Sequence, residues 1–248
     1  MSGALLVTVL AISAVVTSFI SGILGMAGGM ILMGILLALM PLPAAMMLHG
    51  ATQLASNGWR ALLWRNVVAW HVLRGYFLGA LISAAAFAMV QLVASKPVAL
   101  ILLGLTPFAS LALPEKLHLN VERRGHPLAC GIICTMLSLT SGVSGPILDV
   151  FFVRSKMTRH AVIATKAMTQ SLSHVLKIAY FGGLVGLDRG AVNPWITAMM
   201  VLLAFAGTQL SRRVVESMDD ESFRFWTRWT VIAAGVFYLG SGIVLLVR

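Results

Sequence analysis

Long apolar runs dominate the chain, separated by short polar intervals. They fall at 4–23, 28–40, 44–64, 70–94, 97–113, 127–141, 146–153, 160–184, 190–211 and 226–247. A helix crossing a bilayer needs about 20 apolar residues at 1.5 Å each. Eight runs read as long helices. The other two cannot cross alone, since as helices 28–40 reaches about 20 Å and 146–153 about 12 Å. Each follows a glycine-rich break. The first reads Ser21-Gly22-Ile23-Leu24-Gly25-Met26-Ala27-Gly28-Gly29, and the second Ser141-Gly142-Val143-Ser144-Gly145-Pro146.

The two halves share an order of events: long helix, break, short helix, then a helix studded with polar residues. Gly29-Met30-Ile31-Leu32 aligns with Gly145-Pro146-Ile147-Leu148, and Ala51-Thr52-Gln53 with Ala164-Thr165-Lys166. On the second alignment Asn57 meets Gln170 and Trp64 meets Lys177. The pattern predicts an all-α polytopic transmembrane bundle of two repeats, 1–113 and 127–248, joined by a hydrophilic connector at 114–126.

The polar positions inside the apolar runs are periodic. His49, Gln53, Ser56, Asn57 and Arg60 share one face of the third segment. Thr165 or Lys166, then Thr169, Gln170, Ser173, His174 and Lys177 share one face of the eighth. Such a stripe is costly in a bilayer unless it faces the bundle interior or water.

Composition sharpens this. The chain is 59% hydrophobic and 10% charged, against about 25% charged in soluble domains. Met1 to Ala14 contain no Lys or Arg, so no charged signal-peptide n-region is expected and the first run is read as a retained helix. The formal net charge is +10. With no soluble basic face in the pattern, no nucleic-acid partner is expected. The charge reads instead as loop bias that orients the protein.

Loop charge also tests topology. If every segment changes sides, one side collects Arg60, Arg65, Arg74, Lys116, Arg123, Arg124, Arg154, Lys156, Arg159, Arg212, Arg213, Arg224 and Arg228. The other side holds Lys96, Arg189 and Arg248. If the two short segments return to their own side, the bias disappears. The positive-inside rule favours the first arrangement. It places both termini outside the cytoplasm in the cytoplasmic (inner) membrane. With five segments per half, the second repeat is inverted relative to the first. Inverted repeats with broken helices are a pattern of secondary transporters, whose sites lie near the midplane.

The breaks suggest an anion. Irregular backbone at membrane depth must be covered by protein or line a cavity. A helix beginning there presents unpaired N–H groups and a positive dipole end. Close packing of small residues is the structural alternative. Arg60, Lys166 and Lys177 are candidate buried cations, although Arg60 and Lys177 could also snorkel. Asp149 is the clearest acid within a span and could pair with Lys166 or Lys177. His49 and His174 lie on the stripes and could carry protons. Cys130 and Cys134, four residues apart, make a poor metal site alone and read as small buried residues.

Several classes lack their motifs. There is no Gly-x-x-x-x-Gly-Lys loop for an ATP-driven engine. Neither His-Glu-x-x-His nor Gly-x-Ser-x-Gly is present to suggest an intramembrane hydrolase. No arginine-every-third-residue voltage sensor is seen. No enzymatic activity, metal or cofactor is therefore expected.

The glycine run Gly22, Gly25, Gly28 and Gly29, a following Pro, the Ala51-Thr52 helix, and their counterparts Gly142, Gly145 and Ala164-Thr165 resemble the TauE/SafE family of sulfite exporters. The resemblance spans essentially the whole chain. It implies export or uptake of sulfite, organosulfonates or related sulfur compounds. Ser144 and Pro146 depart from the glycine-rich pattern in the second break.

The resulting expectation is a secondary transporter working by alternating access, with an anion channel or a non-transporting membrane subunit as alternatives. Gly25, Gly28 and Gly29 would form one wall of a midplane site, and Gly142, Ser144 and Gly145 the other. Gln53, Asn57 and Gln170 would donate hydrogen bonds. Lys166, with Arg60 or Lys177, would supply positive charge. His49, Asp149 and His174 are the candidates for proton coupling. The partners implied are a small anion and the lipid bilayer, and homo-oligomers are compatible with the pattern.

Overall fold

Among the described residues, ten helices account for the ten apolar runs. The computed structural model describes residues 3–114, 117–185, 192–217 and 220–247. Lys116, Arg189 and Arg248, three of the charges used to weigh topology, lie outside the described residues, as do the side chains of Arg213 and Arg224. In order, the helices are α1 (Gly3–Leu24), α2 (Ala27–Leu39), α3 (Leu42–Leu63), α4 (Trp70–Val90) and α5 (Lys96–Ala112) in the first half. The second half holds α6 (His126–Thr140), α7 (Gly145–Phe152), α8 (Arg159–Ala179), α9 (Pro194–Ser217) and α10 (Asp220–Val247). A π turn at Tyr180–Leu184 extends α8. No strand occurs among the described residues. The fold is an all-α helical bundle.

Local chemistry explains the boundaries. Pro43, Pro97, Pro127 and Pro146 sit in the first turns of α3, α5, α6 and α7, where a missing N–H costs nothing. The Thr158 side chain accepts from the Ala161 N–H and caps α8.

Among the described residues, length and apolarity qualify four helical stretches as candidate spans: Gly3–Leu24, Trp70–Val90, Pro194–Arg212 and Phe225–Val247. Helices α3 and α8 are comparably long but carry the polar stripes, which are buried apart from the half-buried Arg60, Lys166 and Gln170. Helices α5 and α6 have 17 and 15 residues, so they rise only about 25 and 22 Å. The expectation of eight long helices is thus refined: two of the eight are short of a full crossing. The two shortest helices lie deepest. Met30, Leu32, Met33, Leu36 and Leu37 of α2 are all fully enclosed. In α7, Leu148 and Phe151 are enclosed within a second core that also takes in Tyr76, Cys130 and Cys134.

Helix directions can be read from close contacts at glycines. Helices α3 and α8 run antiparallel, because Gly50 packs against Lys177 and Ile178 while Gly58 faces Ser171. Helices α5 and α10 are also antiparallel: Gly242 meets Pro97 and Ile101, and Gly104 meets Gly235 and Leu239. By contrast α1 and α9 run parallel, Val15 lying by Gly207 and Ser211 by Gly22. So do α4 and α6, with Gly75 on Pro127 and Gly79 on Ile132. All four directions follow if every segment crosses. Had the short segments returned to their own side, α3 and α8 would run the same way, as would α5 and α10. Exchanging α1–α5 for α6–α10 carries the α1–α9 pair onto α6–α4 and leaves α3–α8 and α5–α10 as they are.

One end of the bundle gathers basic loops. Arg154 contacts His118 at 2.8 Å. The Lys156 N–H donates to Glu122 at 2.6 Å, and Trp64 lies against His160. The segments carrying Arg65, Arg123, Arg124, Arg154, Lys156 and Arg159 therefore share one face. At the opposite end the Tyr180 hydroxyl donates to the Leu92 carbonyl at 2.8 Å, near Lys96.

Candidate anion site

Both breaks turn on a glycine in the left-handed region. Gly25 has φ +67° and Gly142 has φ +84°, a conformation open to glycine without a Cβ penalty. Each turn ends a long helix and starts a short one. The two breaks meet inside the bundle, where the Met26 side chain lies against Gly145.

Between them is a small, enclosed pocket. It is lined by Gly25, Met26, Gly29, His49, Gln53, Asn57, Arg60, Val143, Ser144, Gln170, Ser173 and His174. These residues come from both breaks and from the facing stripes of α3 and α8. Its volume is about 20 Å³, enough for roughly one water.

The lining is rich in donors and contains no carboxylate among the described residues. Arg60 is the cation. Its Nη1 donates to the Ser21 carbonyl at 3.0 Å, and its Nη2 donates to Asn57 Oδ1. Those bonds hold the guanidinium at the pocket wall. Three polar atoms remain without a protein partner among the described residues: Arg60 Nε, Gln53 Nε2 and His174 Nδ1. Gln53 is 3% exposed and His174 is 6% exposed. Buried polar atoms are nearly always hydrogen-bonded, and three of the ten described atoms without a partner belong to residues of this one pocket. Arg60 Nε–H and the Gln53 amide are donors, so a hydrogen-bond acceptor is the chemistry that matches them.

Behind this wall lies a second network. The His49 Nε2–H donates to the Gly29 carbonyl at 2.9 Å. That tautomer leaves Nδ1 as the acceptor for Lys177 Nζ at 2.8 Å. Lys177 Nζ also donates to the Gly142 carbonyl at 2.9 Å. The edge of His49 meets His174 at a ring separation of 5.6 Å.

A larger cavity of about 1030 Å³ adjoins the pocket. It lies among α5, α7, α8, α10 and the connector, and reaches His118 and Arg154 on the basic face. Lys166 and Asp149 line it and form an ion pair with each other. Its floor includes Met26 and Pro146. Met26 lines both spaces, so one thioether side chain stands between vestibule and pocket.

The structure thus sorts the residues expected from sequence. Gly25, Gly29, Gln53, Asn57, Arg60, Ser144, Gln170, His49 and His174 come together around the pocket. Gly28 instead packs against the Thr17 carbonyl and the Ser21 amide of α1. Gly142 faces Met33, and Gly145 faces Met26. Lys177 sits behind His49. Lys166 and Asp149 stand in the vestibule as a pair, so Lys166 is not the pocket's cation. Cys130 and Cys134 are buried free thiols, and no metal-ligand cluster exists among the described residues. Sequence reasoning missed Met26, Val143 and Ser173. Ser173 lay on the α8 stripe. Met26 and Val143 sat inside the breaks, where apolar side chains gave no signal.

A helical bundle with four candidate spans and two broken helices meeting at a donor-lined pocket defines the class: an integral membrane protein. The sequence profile described as "Sulfite exporter TauE/SafE" matches residues 10–238, and the chain belongs to that family. No curated protein and no solved structure matches it.

Proposed function

We propose that this chain is a secondary transporter that carries a small sulfur-containing anion, such as sulfite or a sulfonate, across the cytoplasmic membrane by alternating access. The observation that carries the reading is the pocket: one arginine, two orphaned amide and imidazole nitrogens, and no described carboxylate, at the meeting of two helix breaks. Arg60 supplies charge, Gln53 and His174 supply hydrogen bonds, and Ser144, Asn57 and Gln170 complete the wall. The family match supports sulfur anions as the substrate class. The pocket's closure at about 20 Å³ favours an alternating gate over an open channel, since an oxyanion needs more room than one water. The vestibule on the basic face and the Met26 barrier fit a state turned toward the cytoplasm.

We read the two halves, 1–113 and 127–248, as inverted repeats about the connector 114–126. The antiparallel α3–α8 and α5–α10 pairs and the exchange pattern of the other helices support this. Both termini then lie outside the cytoplasm.

Purified protein in detergent is expected to bind sulfite, and in liposomes to show saturable flux with counterflow. Linear flux without counterflow would move the reading to a channel. Absence of binding to sulfite, sulfate and sulfonates alike would reject the anion site. Orientation is checked with single cysteines read by an impermeant thiol reagent in whole cells. Lys96→Cys is expected to label and Arg123→Cys to stay protected, and the reverse pattern would invert the topology. The native cysteines are buried and add little background.

A further inference from the structure

We propose that Lys177 is a proton site linked to the pocket, so that the anion crosses the membrane together with a proton. This rests on reading the pocket as an anion site.

Lys177 is fully enclosed in the second half of α8. Its Nζ has two acceptors, the Gly142 carbonyl at 2.9 Å and His49 Nδ1 at 2.8 Å. A neutral amine has two N–H groups, and both are used by these bonds. An ammonium has a third, for which no acceptor is found among the described residues. The surroundings therefore satisfy both N–H groups of the amine and leave its lone pair as the place where a proton comes and goes without breaking a contact.

The charged groups around Lys177 are all basic, and the weak acids of the neighbouring elements already have partners: Tyr76 of α4 with Ser173, Cys130 with Cys134 on α6, and Tyr180 with the Leu92 carbonyl. On α3 the basic groups are His49 and, across the pocket, Arg60. On α8 there is His174, one turn back. The second break contributes the Gly142 carbonyl, and α2 contributes the apolar Met33 beside Gly142 and the Gly29 carbonyl behind His49. None of these groups is a carboxylic acid. Asp149 is held by Lys166 in the vestibule. An ammonium enclosed in low dielectric with no counter-charge is costly. An anion in the pocket, one imidazole away, removes that cost. Proton and anion each strengthen the binding of the other, and the two effects are equal by linkage. A monovalent anion with its proton also crosses the low-dielectric interior as a neutral pair.

The position of Lys177 suits a role in the conformational cycle. One bond ties it to the backbone of the second break, and His49 relays the other to the first turn of α2. Loading the pair changes charge at both hinges at once. The proton enters from the water on the side where the anion binds, and leaves to water on the side where it is released.

The test uses the full chain in detergent and three anions that stay ionised around neutrality: sulfate, thiosulfate and methanesulfonate. Calorimetry in buffers of different ionisation enthalpy counts protons taken up per anion bound. Across a pH series the wild type is expected to take up about one proton above the Lys177 titration. Its affinity there should fall by about tenfold per pH unit. Lys177→Arg keeps the charge at every pH, so binding is expected to persist with no uptake and a flat pH profile. Lys177→Met is expected to bind weakly at every pH. Wild-type binding without proton uptake overturns the proposal even if both variants misfold. Undiminished uptake in Lys177→Arg also overturns it. No binding of any of the three anions overturns the anion reading itself, and the coupling with it.

Discussion

Arg60→Gln is expected to abolish useful anion binding while leaving the protein folded. Arg60 is half-buried, and its side chain is held by the Ser21 carbonyl and Asn57 Oδ1. Glutamine keeps polarity and some length but removes the only described cation in the pocket wall. Truncating one member of a buried, hydrogen-bonded charge pair costs about 2–5 kcal/mol. At 1.4 kcal/mol per decade, that weakens affinity by roughly 30-fold to a few thousandfold. Arg60→Lys retains the charge but loses the fork that bonds Ser21 and Asn57 together, so its loss should be smaller than that of Arg60→Gln. The measurement is titration calorimetry with sulfite, beside a thermal melt as the folding control. An Arg60→Gln affinity within threefold of wild type would remove Arg60 from the site.

The second large effect separates neighbouring glycines. A Cβ on Gly28 would lie well inside contact distance of the Thr17 carbonyl oxygen and the Ser21 amide nitrogen. Both are backbone atoms of α1 and cannot rotate away, so α1 and α2 must part. Alanine is the better helix former by about 1 kcal/mol. Overpacking costs about 1–3 kcal/mol and more where nothing can yield, so the steric term wins. Gly28→Ala should give little monodisperse protein, as read by size-exclusion chromatography of a fluorescent fusion. Gly29 differs. Its added Cβ would meet Gln53 at 3.4 Å, an ordinary contact with a side chain, on the pocket wall. Gly29→Ala should fold as well as wild type yet bind sulfite more weakly. A well-folded Gly28→Ala protein would show that the α1–α2 contact is looser than described.

The two glycines also show where sequence reasoning stops. Both sit in one run and both were expected to wall the site. Only the docking of α1 against α2 decides that Gly28 faces a helix backbone and Gly29 faces the pocket. The three cations divide in the same way. Each lay in or near a span, and helical spacing put Lys166 and Lys177 close to one stripe. Spacing names a face and not the neighbour across it. Asp149 takes Lys166 into an ion pair because α7 docks beside the first half of α8. Further along, Lys177 meets His49 because α3 crosses α8 antiparallel. Arg60 alone of the three reaches the pocket.

What the sequence determined by itself were the features that bilayer physics imposes on any chain. Hydrocarbon thickness sets the length of the spanning runs, and polar or glycine-rich intervals bound the shorter ones, so the ten described helices were visible. The cost of polar groups in lipid forces stripes inward, so the pocket-facing sides of α3 and α8 were legible. Backbone satisfaction makes a glycine break at membrane depth conspicuous, and both breaks proved to turn at a glycine of positive φ. The tertiary structure decided everything that depends on which helix docks where: the meeting of the breaks, Met26 lining both vestibule and pocket, and the separation of three cations into one on the pocket wall, one behind His49 and one in an ion pair. Those contacts join residues far apart in the chain, and no local pattern encodes them.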